Sequence, residues 1–119
     1  MQRGDVVVTV PARQWAAWLA EGDLAGEAWT GLASFFKVPR VPNVVEGDRV
    51  YVVAHGRLRG YAPLVRIAHE FRGEQGVYLV RADGAVAVTV PGEIPGFRGY
   101  RYRWWDRRQE IPFPDWRDP

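Results

Sequence analysis

The sequence contains no cysteine, which excludes disulfide bonds, thiolate-bound metals and a thiol nucleophile. The absence fits a reducing compartment. Long apolar runs are also missing, since the run Val50–Ala54 is far too short for a signal segment or a membrane span. Residues 1–10 contain no basic region followed by such a run. We therefore expect a soluble cytoplasmic protein with no membrane partner.

Side chains that perform catalysis are scarce as well. The chain has two histidines, His55 and His69, and one serine, Ser34. Neither histidine has an acidic partner at the spacing of a zinc site, and Ser34 has no neighbouring base. We expect His55 to be a turn residue at the end of a strand. We also expect no metal and no cofactor, and nothing in these residues requires an enzyme.

Length and composition predict a single globular domain over residues 1–119, because 47% of the residues are apolar. The net charge is only +2, but it is unevenly distributed. Residues 1–30 have two arginines against four acidic residues, a net −2; residues 96–108 have five arginines against one aspartate, a net +4. Fifteen of the sixteen basic residues are arginine. That bias suits phosphate binding, and it is equally typical of GC-rich coding or a thermophilic host.

The first third of the chain predicts one strand and one or two helices. Residues 6–10 are all β-branched and predict a buried strand, and Pro11 suits the first turn of a helix. That helix has Trp15, Trp18 and Leu19 on one face. A second helix is predicted from Asp23 as its N-cap, with an apolar stripe at helical spacing. The stripe consists of Leu24, Ala28, Leu32 and Phe36.

The rest of the chain predicts strands. The segment "VEGDRVYVVAHGRLRGYAPLVRI", residues 45–67, reads as two strands joined at His55–Gly56, with a bulge or an edge position indicated by Gly60. In "VYLVRADGAVAVTV", residues 77–90, Asp83–Gly84 predicts a two-residue hairpin turn. That pairing would place on one core face Val77, Leu79, Val86, Val88 and Val90. A last strand is predicted over 100–105, followed by a tail packed by Ile111, Phe113 and Trp116.

These elements predict an α+β fold: a small mixed or antiparallel β-barrel of five to six strands, with one or two helices inserted after the first strand. Residues 45–67 resemble the PUA-like barrel superfamily, and within it the ASCH and EVE groups, in their Gly47–Asp48 lead-in and in the strand Gly60–Ile67. The segment "AWTGLASFFKVPR", residues 28–40, is similar to the segment that lines the ligand cleft of both groups. The resemblance covers about residues 25–105. It implies a cleft beside the barrel that accepts RNA, a modified base or a nucleotide-like ligand.

The resemblance also implies an alternative function. Some ASCH members hydrolyse an acylated nucleoside with a Gly-x-Lys motif, a threonine just beyond it and a distant glutamate. Lys37 matches that lysine, but Phe35 stands where the glycine would be, and no hydroxyl residue follows before Asn43. Only Lys37 is therefore carried over, as a cation of the cleft. As a small amidohydrolase, the chain would hold Lys37 near the reacting carbonyl, with Glu70 or Glu74 as acid–base.

The stretch "GFRGYRYRWWDRR", residues 96–108, is the main candidate for a nucleic-acid surface. Strand periodicity divides it into two faces. The first face has Tyr100, Tyr102 and Trp104, and we expect it to fill the barrel. The second has Arg101, Arg103 and Trp105. It would bind phosphates and stack one base, or it is an ordinary solvated face.

Two further basic pairs complete the candidate site. Arg57 and Arg59 lie in the predicted turn "HGRLRG", and Lys37 and Arg40 lie on the proline-braced loop 37–43. A base would stack on Trp29 or Phe36 while Lys37 and Arg40 hold its phosphate; otherwise those rings pack the helix against the barrel.

The main hypothesis is a module that binds RNA, a modified base or a nucleotide in a cleft beside the barrel. The amidohydrolase is one alternative. A protein-interaction domain that uses Trp105 and Trp116 as exposed anchors is the other.

Overall fold

The computed structural model describes residues 4–20, 35–71, 73–81 and 86–118. Within these ranges the chain is mostly β-sheet. The strands are β1 (Val6–Thr9), β2 (Phe35–Val38), β3 (Arg49–Ala54), β4 (Arg57–Phe71), β5 (Glu74–Arg81), β6 (Val88–Thr89), β7 (Tyr100–Tyr102) and β8 (Ile111–Pro112). A helix, α1, spans Ala12–Ala20, and a 3-10 turn spans Arg107–Gln109.

Six strands form one sheet in the order β2-β5-β4-β3-β1-β7. β1 and β3 are parallel and the other neighbours are antiparallel, so the sheet is mixed. The sheet curls until its two outer strands approach each other. The backbone N–H of Asn43 donates to the Tyr102 hydroxyl at 2.8 Å, and a Cβ on Gly99 would lie 2.9 Å from the Pro39 ring. The result is a small, nearly closed barrel, which leaves little free sheet edge.

The central strands β1 and β3 are buried on both faces, which explains their nearly continuous valine runs. Alternate residues such as Val6 and Val52 point into the barrel core, where they meet Trp15, Phe113 and Trp116. The residues between them, such as Val7, Tyr51 and Val53, pack in a second cluster outside the sheet. That second cluster is covered by the segment 90–105, which brings this segment beside β1 and β3.

The hairpin of β3 and β4 confirms the prediction for residues 45–67. Its turn lies at His55–Gly56, and His55 has a left-handed φ of 50°. The predicted bulge is also present: Val52 pairs with Gly60 and Val53 with Leu58, so that Arg59 is the extra residue.

The predicted hairpin over residues 77–90 is wrong. Its turn, residues 82–85, lies outside the described residues, but both edges of β5 are occupied by β2 and β4. The following segment therefore pairs elsewhere: Val86 bridges to Tyr61, and β6 pairs with β8. Val86 is 40% exposed, so it does not share a core face with Leu79 and Val90.

The helix α1 follows β1 and buries Trp15, whose ring meets Trp116 edge-on at 5.7 Å. Most of the second predicted helix lies outside the described residues, and its predicted end, Phe36, belongs to β2 instead. The tail packs through Phe113 and Trp116 as predicted, whereas Ile111 is half exposed. No helix within the described residues is long and apolar enough to cross a membrane.

Candidate nucleic-acid interface

The last strand is shorter than the sequence predicts, and this reverses the places of two tryptophans. Pairing with β1 ends at Arg103, whose backbone N–H donates to the Asp5 carbonyl at 3.0 Å. Beyond that point the strand alternation no longer applies. Trp104, expected in the core, is 53% exposed, and Trp105, expected at the surface, is only 7% exposed. Tyr100 and Tyr102 pack partly against the barrel core, as predicted.

Trp105 is a packing residue of the second cluster. Its ring meets the Tyr51 ring edge-on at 5.1 Å, and its indole N–H donates to Glu110 at 2.8 Å. The same carboxylate accepts from the Tyr51 hydroxyl at 2.6 Å and from Arg49 at 3.0 Å. Burial, together with the Glu110 hydrogen bond, raises the pKa of Tyr51 well above its ordinary value. Trp105 therefore cannot stack on a base. Because Trp105 and Trp116 are both buried, neither is the exposed anchor for a protein partner that the sequence predicts.

Arg103 is not free for a phosphate, because it is bound to a buried carboxylate. Asp5 accepts from Arg103 Nε at 3.2 Å and from Arg107 Nη2 at 2.6 Å, and its side chain is 4% exposed. Burial alone would raise the pKa of Asp5. The Arg49 backbone N–H and the two guanidinium groups outweigh burial and hold that pKa below its ordinary value.

Arg59, predicted as a surface cation, is 1% exposed. The bulge turns its side chain into the barrel end, where Nε donates to the Ala54 carbonyl at 2.8 Å and Nη1 to the Trp116 carbonyl at 3.2 Å. Nη1 also bonds the Asp118 carbonyl. Arg57 is exposed and lies over the Phe113 ring at 4.6 Å. These two arginines hold the tail rather than forming a joint basic surface.

Two residues of the predicted hydrolase site, Lys37 and Glu74, pair with each other at the surface. Lys37 donates to Glu74 at 2.6 Å, with both side chains more than half exposed. The hydrogen bond to Glu74 raises the pKa of Lys37, which favours its charged form. Glu70 accepts from the backbone N–H of Gly73 and so stabilises a turn. Trp29 lies outside the described residues, and for Phe36 only its place in β2 is described.

A hollow of about 480 Å³ opens at the outer edge of β7, and we call it the arginine hollow. It is lined by Arg40, Tyr100, Arg101, Tyr102 and Trp104. Within the described part of the chain, no carboxylate pairs with Arg40 or Arg101. The Arg101 guanidinium lies 4.6 Å from the centre of the Phe97 ring, which orients it without using its N–H groups.

The two tyrosines of the arginine hollow supply hydroxyl groups. Their rings meet edge-on at 5.7 Å, and the Asn43 N–H holds the Tyr102 hydroxyl in place. Burial and the neighbouring Tyr102 raise the pKa of Tyr100 against the opposing charge of Arg40. Tyr100 therefore stays protonated at neutral pH.

Of the predicted binding residues, the structure brings together Arg40 and Arg101. Lys37 does not line their hollow. The residue that the sequence placed on the wrong side is Trp104. The Trp104–Trp105 doublet indicates that one of two adjacent rings faces solvent, but which one depends on where β7 ends.

Comparisons with known proteins give no indication of function, so function is inferred from the geometry of the candidate site. No family model matches the chain, and neither a curated protein nor a solved structure matches it. The resemblance to PUA-like barrels therefore stays a prediction. Among the described residues, no three or more His, Asp and Glu side chains are grouped so as to hold a metal ion.

Proposed function

We propose that this chain binds single-stranded nucleic acid, with RNA or a modified base as the preferred ligand, in the arginine hollow. The observation that supports the proposal is an exposed indole, that of Trp104, beside two guanidinium groups that no described carboxylate neutralises. Arg98 does not line the arginine hollow, and the other three arginines of the 96–108 stretch differ from Arg101 in this respect. Arg103, Arg107 and Arg108 are paired with aspartates.

The chemistry of the hollow fits a nucleotide. An aromatic side chain that stacks on a base contributes ~1–3 kcal/mol per base in proteins that bind single strands, and any base offers a suitable face. Guanidinium groups form two parallel hydrogen bonds to phosphate oxygens, which suits Arg40 and Arg101. The volume of about 480 Å³ lies within the range that small-molecule sites occupy, roughly 300–1,000 Å³.

A single strand fits the hollow better than a duplex. Base faces are accessible to an indole only where bases are unstacked. The exposed elements around Trp104 are a strand edge and loops, and a major groove is read by a helix or a two-stranded ribbon. We therefore expect tighter binding to single-stranded RNA than to the matching duplex.

The experiment measures the affinity of a fluorescent single-stranded RNA ten-mer at several salt concentrations. On a single strand, each phosphate contact that is lost should reduce the magnitude of the slope of log K against log salt by about 0.7. The double variant Arg40→Ala/Arg101→Ala should therefore bind more weakly and show a slope whose magnitude is smaller by about 1.4. Arg66→Ala is the matched control, because Arg66 is an exposed arginine that does not line the arginine hollow.

Three results would contradict the proposal. They are a salt response that is flat in the wild type, an affinity that the double variant retains, or an equal loss in Arg66→Ala. The last of these would indicate only a diffuse attraction between a basic protein and RNA.

A further inference from the structure

A second hollow, of about 450 Å³, adjoins the first, and we call it the glutamine hollow. Arg101 and Trp104 line both hollows, so this pair of side chains forms their shared boundary. The floor of the glutamine hollow includes the buried side chains of Val90 and Ile94. Because the two hollows meet at the exposed Trp104 indole, one extended ligand can occupy both of them.

The two hollows differ in chemistry. The arginine hollow has two cationic groups and two hydroxyls, which suit a phosphate and a sugar. The glutamine hollow has proline and aliphatic walls and a single cation, the shared Arg101; its other polar side chains are Glu93 and Gln109. Apolar walls with a few polar groups suit a base and not a phosphate.

Gln109 is held in a fixed orientation. Its amide oxygen accepts from the Asp106 backbone N–H at 3.0 Å, as part of the capping box of the 3-10 turn. The amide NH₂ group is therefore the part of Gln109 that remains for a ligand, and it would donate to an acceptor on a base edge.

We propose that Trp104 separates two successive nucleotides of one strand, with one base in the glutamine hollow and the adjoining phosphate and nucleotide in the arginine hollow. This inference depends on the proposed function and adds a minimum ligand to it, a dinucleotide. The strand crosses the boundary at Arg101, whose guanidinium faces both hollows and binds the phosphate between the two nucleosides.

The test compares adenylate ligands of increasing length: adenosine monophosphate, the dinucleotide pApA and the trinucleotide. Occupation of both hollows predicts that pApA binds at least tenfold tighter than the mononucleotide. A third nucleotide should add less than threefold, because the next hollow, lined by His55 and Arg57, meets the glutamine hollow at the Glu93 carboxylate, whose charge opposes the passage of a phosphate.

A variant that fills the glutamine hollow then tests whether the tighter binding of pApA depends on that hollow. Pro95 is an exposed residue of that hollow, and Pro95→Trp would fill the space without entering the protein core. We expect this variant to bind pApA no better than the mononucleotide, whose own affinity stays unchanged. Pro114→Trp is the control, because Pro114 is equally exposed and lines neither hollow.

The outcomes separate the two proposals. If pApA and the mononucleotide bind equally, and both weaken in Arg40→Ala/Arg101→Ala, the two-nucleotide inference is wrong and the proposed function remains. A gain with pApA that Pro95→Trp leaves intact also overturns the inference. If neither the adenylates nor the RNA ten-mer binds, the proposed function itself is wrong.

Discussion

The indoles of Trp104 and Trp105 stand nearly perpendicular, at 84°, with their ring centres 5.0 Å apart. One ring is exposed and the other is buried. The buried ring is fixed by Tyr51 and Glu110, so the exposed ring is supported from beneath by a rigid neighbour. A stacking platform that is already ordered loses less side-chain entropy when a base binds it.

Because one ring is buried and the other is exposed, we expect Trp105 to determine stability and Trp104 to determine binding. Trp105→Leu should lower the free energy of unfolding by about 2–4 kcal/mol, because it leaves a cavity and removes a hydrogen-bond donor from Glu110. Trp104→Leu should change it by less than about 1 kcal/mol. Urea unfolding measures both.

Binding should show the opposite order: Trp104→Leu weakens RNA affinity about tenfold and Trp104→Phe retains most of it. Equal stability losses would contradict the burial difference.

The buried carboxylate of Asp5 predicts a loss of stability in acid. Its folded pKa lies below the unfolded value of about 3.9, so its contribution is complete above that pH and is lost as the pH falls through the folded pKa. Asp5→Asn should lower the unfolding free energy at pH 7 by about 2–4 kcal/mol, less than for a fully buried pair because Arg107 is half exposed.

Urea titrations at pH 7 and pH 3 test the role of Asp5. The gap between wild type and Asp5→Asn should narrow at pH 3, because the Asp5 carboxyl binds a proton more readily in the unfolded chain than in the folded protein, where its pKa is lowered. Asp106→Asn is the control, since its ion pair with Arg108 is exposed and contributes little. A gap that is constant with pH would show that the charge of Asp5 has no part in the effect.

The buried Arg59 predicts a link between the barrel end and the tail. Its guanidinium donates to carbonyls at Ala54, Trp116 and Asp118. Arg59→Ala should leave these acceptors unpaired, lower the unfolding free energy by about 2–4 kcal/mol and, by loosening the tail, speed trypsin cleavage after the exposed Arg117. Limited proteolysis followed by mass measurement detects the cut. Arg66→Ala removes an exposed cation from the same strand and should change the cleavage rate little, whereas equal rates in both variants would refute the link.

Sequence reasoning succeeded where each partner is close along the chain. The β3–β4 hairpin, its turn at His55 and its bulge near Gly60 all follow from local residue preferences. It failed where the pairing of a strand depends on a partner that is distant in the sequence. The strand after β5 pairs with Tyr61 and with β8 because β2 already occupies the edge of β5, and nothing within residues 77–90 indicates that competition.

The same distinction between near and distant partners along the chain applies to the candidate site. The sequence identifies 96–108 as cationic and aromatic, but it cannot tell which arginines are already bound. Asp5 lies 102 residues from Arg107 and 98 from Arg103, and it binds both. Arg101 lies on the same face of the strand as Arg103, but the register places it opposite Val7 rather than Asp5, so it pairs with no described carboxylate. A binding surface is therefore defined by the charges that folding leaves unpaired, which composition does not reveal.

Gly60 provides a test of the bulge that turns Arg59 inward. Its φ is +154°, and a Cβ there would lie 2.5 Å from the Val86 carbonyl oxygen, which itself accepts from the Tyr61 N–H at 3.0 Å. Gly60→Ala should lower the unfolding free energy by about 2–4 kcal/mol, because backbone strain adds to a clash with backbone that cannot rotate away.

Gly92→Ala separates the two contributions to that loss. Gly92 has a φ of +96° but no atom within 4 Å of a Cβ, so this substitution should cost only the strain of about 1 kcal/mol. Urea unfolding gives both values. Hydrogen exchange should show that the Tyr61 and Val86 amides lose protection in Gly60→Ala alone, because their bridge must open to admit the methyl group. Equal costs and unchanged protection would mean that the close approach at Gly60 does not hold this part of the barrel.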